Sequence, residues 1–527
     1  MITNKSPNLD ILLVGFEEEE NLGIRYIAAF LDKNGITVAI EPYNPLAKEE
    51  LLNKILKETP DIIAFSLIFQ RMLPDFNNLI KYLRENKVKA HFTIGGHFPT
   101  IKFKETLNFI PELDSIIRHE GEKTLLELYN HLENPERWPS IKGLAYIDIN
   151  GKLIVTETRA LIHDLDSLPF PVRSLNFQDE IGTCSLIASR GCYHNCSFCS
   201  VREFYKTPKG FNKRLRSPQN VVKEMEYLFK QNIRIFMFKD DDLGTRSQRD
   251  KIWIKNFVEE LKKKDLGDKI LWRISCRVDQ IKYNLLNDLK GVGLEFVYMG
   301  IESGSNKSLK TLNKQYSVED IYTALDVLEK LKMNFEYGFM LFEPSSTIET
   351  IEESINFLEI LCKNGRVPVH FTKMIPYAGT PIELKLKKEG RLKGDLSSPD
   401  YDYPDPKLGL LEVFFNQAFH KSLFNENGIV NMLQLAKYNS IITSKFFPEQ
   451  YDPNYLKSVQ TLTNRFNESA IETMLKTIKF MADKDYKDIL LYWDLLNILL
   501  NQELNVQEQI EEEIKKLLFL PSDSPFQ

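Results

Sequence analysis

The chain has 527 residues, a mass of 61.4 kDa and 43% hydrophobic residues, enough to build two to four packed domains. A net charge of -6 and a pI near 5.9 argue against a general nucleic-acid surface. Residues 1–10 are polar and lack the order of a secretory leader, and no apolar run approaches the roughly 18 residues of a membrane span, so the expected compartment is cytoplasmic.

From residue 10 onward, short apolar strands alternate with helical patterns. Strands are expected at 10–15, 37–41, 61–66, 91–95 and 114–118, with a first helix at 21–33 and a closing helix at 122–131. This alternation predicts a five-stranded, doubly wound, Rossmann-like domain over residues 1–135, with its ligand at the carboxyl ends of the strands. Those ends carry Leu22-Gly23, Ser66, Gly95-Gly96 and Glu120-Gly121. Taken singly, such glycines mark only a turn or a close backbone approach.

Residues 136–183 read as a linker containing a hairpin (143–147 and 152–156), followed by Leu168-Pro169-Phe170-Pro171, an extended segment. Next comes Arg190-Gly191-Cys192-Tyr193-His194-Asn195-Cys196-Ser197-Phe198-Cys199, a C-x3-C-x2-C run. Cubic iron-sulfur clusters normally take four thiolates; three leave one iron open for a ligand, and so for chemistry. A zinc knuckle is the competing reading, with His194 inside the loop, but paired C-x2-C half-sites are absent. Cys184, Cys276 and Cys362 are scattered singly and read as buried small apolar residues.

Over residues 184–385 strands recur near 185–189, 233–239, 271–275, 296–299, 336–341 and 369–374, predicting a partial (β/α)6 barrel with polar groups at the strand ends. These are Asp240-Asp241-Asp242, Cys276-Arg277-Val278-Asp279, Met299-Gly300-Ile301-Glu302-Ser303-Gly304 and Pro376-Tyr377-Ala378-Gly379-Thr380-Pro381. A solvated loop is the alternative for the three aspartates, and a plain turn for the last segment. Residues 386–527 change character: a polar, proline-bearing stretch (393–407) precedes a mostly helical domain with amphipathic segments at 467–481 and 506–518, expected to close the barrel mouth.

The cysteine run resembles the signature of radical S-adenosylmethionine (SAM) enzymes, and the preceding strand ends resemble the cobalamin-binding domain found in one class of them. The resemblance spans residues 8–382 and points to a cobalamin-dependent radical SAM enzyme. It implies a [4Fe-4S] cluster on Cys192, Cys196 and Cys199. SAM is implied at Phe198, Asp240, Asp241, Arg277, Gly300, Glu302 and Pro376, with Arg277 suited to the SAM carboxylate and Glu302 to the ribose hydroxyls. Cobalamin is implied at Leu22, Gly23, Ser66, Gly95, Gly96, Glu120 and Gly121, where missing Cβ atoms allow a flat ring close to backbone. One feature departs from the methionine-synthase type: the loop at residues 15–23 has no histidine to ligate cobalt, and His97 is not assigned that role.

The implied reaction begins with a 5′-deoxyadenosyl radical that activates a substrate carbon, and in the commonest case methylcobalamin then donates a methyl group. A non-methylating rearrangement, cyclisation or oxidation is the alternative, as is a radical SAM enzyme whose cobalamin domain stays empty. A flavodoxin or ferredoxin would supply electrons. The acidic chain, without an auxiliary cysteine cluster, favours a small-molecule or natural-product substrate, with a peptide still open, over nucleic acid.

Overall fold

The structure is a computed structural model that describes residues 9–17, 20–173, 181–244 and 246–518. Residues 1–8 of the segment read as lacking the order of a leader, and Glu18 and Glu19 of the 15–23 loop, fall outside the described residues. The first domain places five parallel strands as expected: β1 (Ile11–Gly15), β2 (Val38–Pro42), β3 (Ile62–Ser66), β4 (His91–Gly95) and β5 (Ser115–Ile117). Their sheet order is β2-β1-β3-β4-β5, so the chain reverses direction between β1 and β3 and opens a crevice at the strands' carboxyl ends. β1 is buried on both faces, which is why Ile-Leu-Leu-Val reads as an unbroken apolar run.

The hairpin expected in the linker extends this sheet. β6 (Leu144–Ile147) pairs antiparallel with β5, and β7 (Leu153–Val155) pairs with β6, giving seven strands. An exposed edge at β5 would leave unpaired backbone groups, and the hairpin covers it.

The second sheet has six parallel strands in consecutive order: Gly182–Leu186, Ile233–Phe238, Leu271–Cys276, Leu294–Glu302, Asn334–Phe342 and Thr372–Lys373. The fourth strand runs three residues beyond the expected end and carries Glu302 as its last residue, whereas the sixth is only two residues long. Helices on the outer face bury one large apolar cluster against the sheet.

The C-terminal region is mostly helical, and one of its helices sits at the end of the half-barrel opposite the mouth. Helix Ile429–Phe446 crosses the concave face near the strands' amino ends. Tyr438 stacks on Phe296 at 4.2 Å and donates to the Glu336 carboxylate, while Ile441 and Ile442 pack with Ile181, Ile235 and Leu271. The helix fills the floor of the half-barrel; at the carboxyl end the first domain meets the segment around Leu396, whose carbonyl accepts from Gln70 Nε2 at 3.2 Å. The longest helix, Pro453–Ala482, contains the amphipathic stretch 467–481 and packs against Trp493–Leu518.

Candidate active site

The cluster loop leaves the first barrel strand and is held at each turn. Asp240 accepts from the Ala188 amide (3.1 Å) and the Ser189 hydroxyl, and Asp241 accepts from the Gly191 amide at 2.9 Å. Gly191 has φ +84, and a Cβ there would lie 1.8 Å from the Asn212 carbonyl oxygen, so the loop can enter only through glycine. Farther on, the Ser197 amide donates to Leu312 O (3.1 Å), and Asn313 Nδ2 donates to Asn195 O (2.6 Å). The three thiols therefore sit on one loop pinned by two aspartates and the Leu312–Asn313 turn. Burial pushes the Cys192 thiol up to about 12 and the Cys199 thiol up to about 11 in the metal-free protein. A metal would reverse that preference by binding the thiolate.

The residues implied for SAM collect around this loop. Glu302 has φ +69 and accepts from Lys314 Nζ at 3.0 Å; a Cβ on Gly300 would stand 2.6 Å from Glu302 Oε1. Lys314 Nζ lies 5.7 Å over the Phe198 ring. Arg277 packs against the same loop, with its Nη1 3.8 Å from Cys196 Sγ. Its forked pairing, however, goes to Asp279 (3.0 and 3.2 Å) and to the Lys314 carbonyl. Pro376 is buried, and burial pushes up the hydroxyl of its neighbour Tyr377. Asp240 spends its carboxylate on the loop, while Asp241 also faces the crevice beneath the first domain.

That crevice is a cavity of about 560 Å3 bounded by both domains. All seven residues implied for cobalamin line it: Leu22, Gly23, Ser66, Gly95, Gly96, Glu120 and Gly121. Barrel residues Arg190, Phe204, Tyr205, Lys239 and Asp241 close the other side. Gly96 has φ +114, and a Cβ would lie 2.2 Å from the Leu67 carbonyl oxygen. Glycine at this cavity-lining position therefore lets the backbone pack directly on Leu67, between the lining residues Ser66 and Ile68.

Sequence reasoning missed what joins the domains. Glu120, 9% exposed, does more than line the cavity: its carboxylate meets Arg190 (3.1 Å) and Arg214 (2.7 Å) of the barrel and accepts from the Ile162 amide (2.7 Å). Glu122 adds a second contact to Arg190 at 2.7 Å. Glu20 pairs with Arg173 (2.8 Å) and accepts from the Ser185 amide (2.7 Å). Gln70 receives the Ala378 amide at 2.9 Å, tying the 376–381 segment to the first domain. These arginines and Gln70 carry no motif; only the partners named here, 68 to 308 residues away, mark them.

Two histidines also face the cavity. His119 Nδ1 donates to Phe204 O (2.7 Å) and Nε2 accepts from the Thr207 hydroxyl (3.2 Å), a neutral ring with both nitrogens used. Its pKa is lowered to about 4, chiefly by burial, and burial lowers His97 likewise.

Residues 10–129 match the family model for the B12 binding domain, and residues 186–358 match that for the radical SAM superfamily. The chain is a cobalamin-dependent radical SAM protein. Its cofactors are the [4Fe-4S] cluster, SAM and cobalamin that these domains imply. It is 29% identical over 345 residues to the anaerobic magnesium-protoporphyrin IX monomethyl ester cyclase of Rubrivivax gelatinosus, covering 63% of this chain and 60% of that one. The chain therefore spans less than two thirds of that cyclase. It is 24% identical over 511 residues to the cytidylyl-2-hydroxyethylphosphonate methyltransferase of Streptomyces wedmorensis, covering 84% and 89%.

Among solved structures, the cobalamin-dependent SAM radical enzyme OxsB with aqua-cobalamin and SAM bound shares the fold at TM-score 0.70 and 18% identity, over 97% of this chain and 80% of that one. The methyltransferase TsrM from Kitasatospora setae with tryptophan substrate and a SAM analogue shares it at TM-score 0.65 and 13% identity, over 90% and 100%. Among the described residues no helix is long and apolar enough to cross a membrane.

The residues of this cobalamin-dependent radical SAM protein fit those groups. Three thiols lie on one pinned loop, while Cys184, Cys276 and Cys362 are free and buried elsewhere. Gly96 is among the residues lining the crevice.

Proposed function

We propose that this protein is a methyltransferase acting on an unactivated carbon of a small substrate. The observation that carries the reading is the single cavity bounded on one side by the first domain's strand ends and on the other by Asp241, the residue that anchors the cluster loop at Gly191. A corrin seated there and a SAM bound at the loop would share one wall. When bound, the cluster with SAM would supply a radical that abstracts a hydrogen atom from a substrate carbon, and cobalamin would supply a transferable methyl group.

The chain's own residues do the positioning. Cys192, Cys196 and Cys199 would hold the cluster; Glu302, oriented by Lys314, and Gly300, with no side chain in the way, would receive the ribose of SAM. Phe198, Arg277, Asp240, Asp241 and Pro376 would frame its methionyl end. Glu120, Arg190 and Arg214 tie the two domains together beside the shared wall. An external flavodoxin or ferredoxin would reduce the cluster.

Similarity to the phosphonate methyltransferase over most of both chains supports methyl transfer. Similarity to the cyclase supports a second reading, a ring-forming reaction at the same site. Anaerobic purification with cobalamin, followed by metal analysis, is the first test; the reading expects about four irons and one cobalt per chain. Turnover should then yield S-adenosylhomocysteine together with 5′-deoxyadenosine. 5′-Deoxyadenosine alone would favour the cyclase-type reading, and iron without cobalt would end the cobalamin reading.

A further inference from the structure

Behind Cys192 lies a buried polar group that neither the cobalamin cavity nor the SAM residues use. Asp242 Oδ2 stands 4.0 Å from Cys192 Sγ. The same oxygen accepts from Gln280 Nε2 (3.2 Å) and lies 3.5 Å from His194 Nε2. Lys213 Nζ approaches it at 3.8 Å, outside hydrogen-bond reach, and sits 5.1 Å over the Tyr193 ring. Lys213 is 2% exposed and Asp242 2%, yet Lys213 Nζ, Asp242 Oδ1 and Gln280 Oε1 have no hydrogen-bond partner among the described residues. The backbone makes room for this arrangement, since a Cβ on Gly244 would overlap Gln280 Oε1 at 0.9 Å.

A buried ammonium without a hydrogen bond is costly unless an anion faces it. Among the described residues, Cys192, His194 and Asp242 offer donor atoms within 4.8 Å of one another, the set a single zinc would take. A lysine ammonium beside that set repels a lone dication, whereas it complements a cluster made anionic by thiolates and sulfides. Cluster potentials follow local charge, hydrogen bonds and burial.

We propose that Lys213 and Asp242 are positioning residues that set the reduction potential of the cluster in opposite directions through the Cys192 side of its loop. The inference rests on Cys192 being a cluster ligand. The ammonium favours the reduced, more negative cluster and raises the potential; the carboxylate opposes the added electron and lowers it. Gln280, held in place beside Gly244, fixes the carboxylate between them.

The test is a redox titration of the full-length, anaerobically reconstituted protein with dithionite and viologen mediators, read by the electron paramagnetic resonance of the reduced cluster, without SAM. At the wild-type midpoint, Lys213→Met should lower the reduced-to-oxidised ratio about tenfold, equivalent to ~59 mV for one electron, and Asp242→Asn should raise it by a similar factor. Lys213→Arg and the double variant K213M/D242N should stay near wild type. Single variants that keep their iron and shift the ratio less than threefold, or shift it in the same direction, overturn the proposal. Loss of iron in K213M, D242N and K213R alike also overturns it, because the residues would then be structural. A wild-type protein that binds no cluster refutes the ligand assignment instead, and its iron count shows which of the two has failed.

Discussion

Glu120 is the residue whose replacement should cost most at the domain boundary. Arg214 is 2% exposed, and its Nε and Nη2 already lack partners; what holds its charge is Glu120 Oε1 at 2.7 Å and the Ile162 carbonyl at 2.8 Å. Glu120→Gln keeps the shape and removes the charge, leaving a buried guanidinium without its counter-ion. Breaking a buried pair in this way costs about 3–5 kcal/mol. Arg190 keeps Glu122 and suffers less. The assay is native-state hydrogen exchange on the short antiparallel pair Arg190/Arg214 and Ser189/Leu215, with the barrel strand Ile233–Phe238 as internal reference. At 1.4 kcal/mol per tenfold, the pair should exchange roughly 100-fold faster or more, and the reference strand should hardly change. Adding Arg214→Met should recover most of the loss, because the orphaned charge is then gone. An E120Q variant within about 1 kcal/mol of wild type would show that this pair is not what joins the domains.

Other predictions test the loop, the cavity and the pH response. Gly191→Ala forces a Cβ into the Asn212 carbonyl and should abolish iron incorporation, read by iron analysis, while the cobalamin domain still folds. Gly96→Ala should weaken cobalamin binding at least tenfold by equilibrium titration, since the Cβ displaces the Leu67 backbone between the cavity-lining residues Ser66 and Ile68. His91, His97 and His119 have pKa values lowered to about 4 by burial, so the unfolded chain takes up more protons than the folded one between pH 6.5 and 4. Stability conferred by the neutral rings is complete above pH 6.5 and is lost as pH falls, on the order of 2–3 kcal/mol per ring. Thermal unfolding from pH 7 to 4 should show that decline beginning near pH 6.5, above the carboxylate range; a flat profile down to pH 5 would contradict it.

The strands of both sheets were legible because parallel strands buried on two faces must be apolar throughout, and Ile11–Gly15 or His91–Gly95 can hardly be read otherwise. The cysteine loop was legible because Cys192, Cys196 and Cys199 lie close together in the chain, so that their spacing is visible without the fold. The hairpin's attachment to β5 was not, because edge pairing depends on which edge is left open, and that is a property of the assembled sheet. Nor was the place of helix Ile429–Phe446 on the floor legible, since its apolar residues would suit either end of the half-barrel. Arg277 shows the limit for single side chains: its residue type fits a SAM carboxylate, but its fork is already turned toward Asp279, two residues along the chain.

The sequence by itself determined the α/β alternation, the cluster loop and the small residues at the strand ends, because each is written in local spacing and residue type. Only the tertiary structure decided that seven of those strand-end residues surround one cavity, that Asp241 joins this cavity to the cluster loop, and that Glu120 meets Arg214. Those outcomes depend on contacts between residues 50 and 94 positions apart or more, which hydrophobic packing of two separate sheets brings together and which no local pattern encodes.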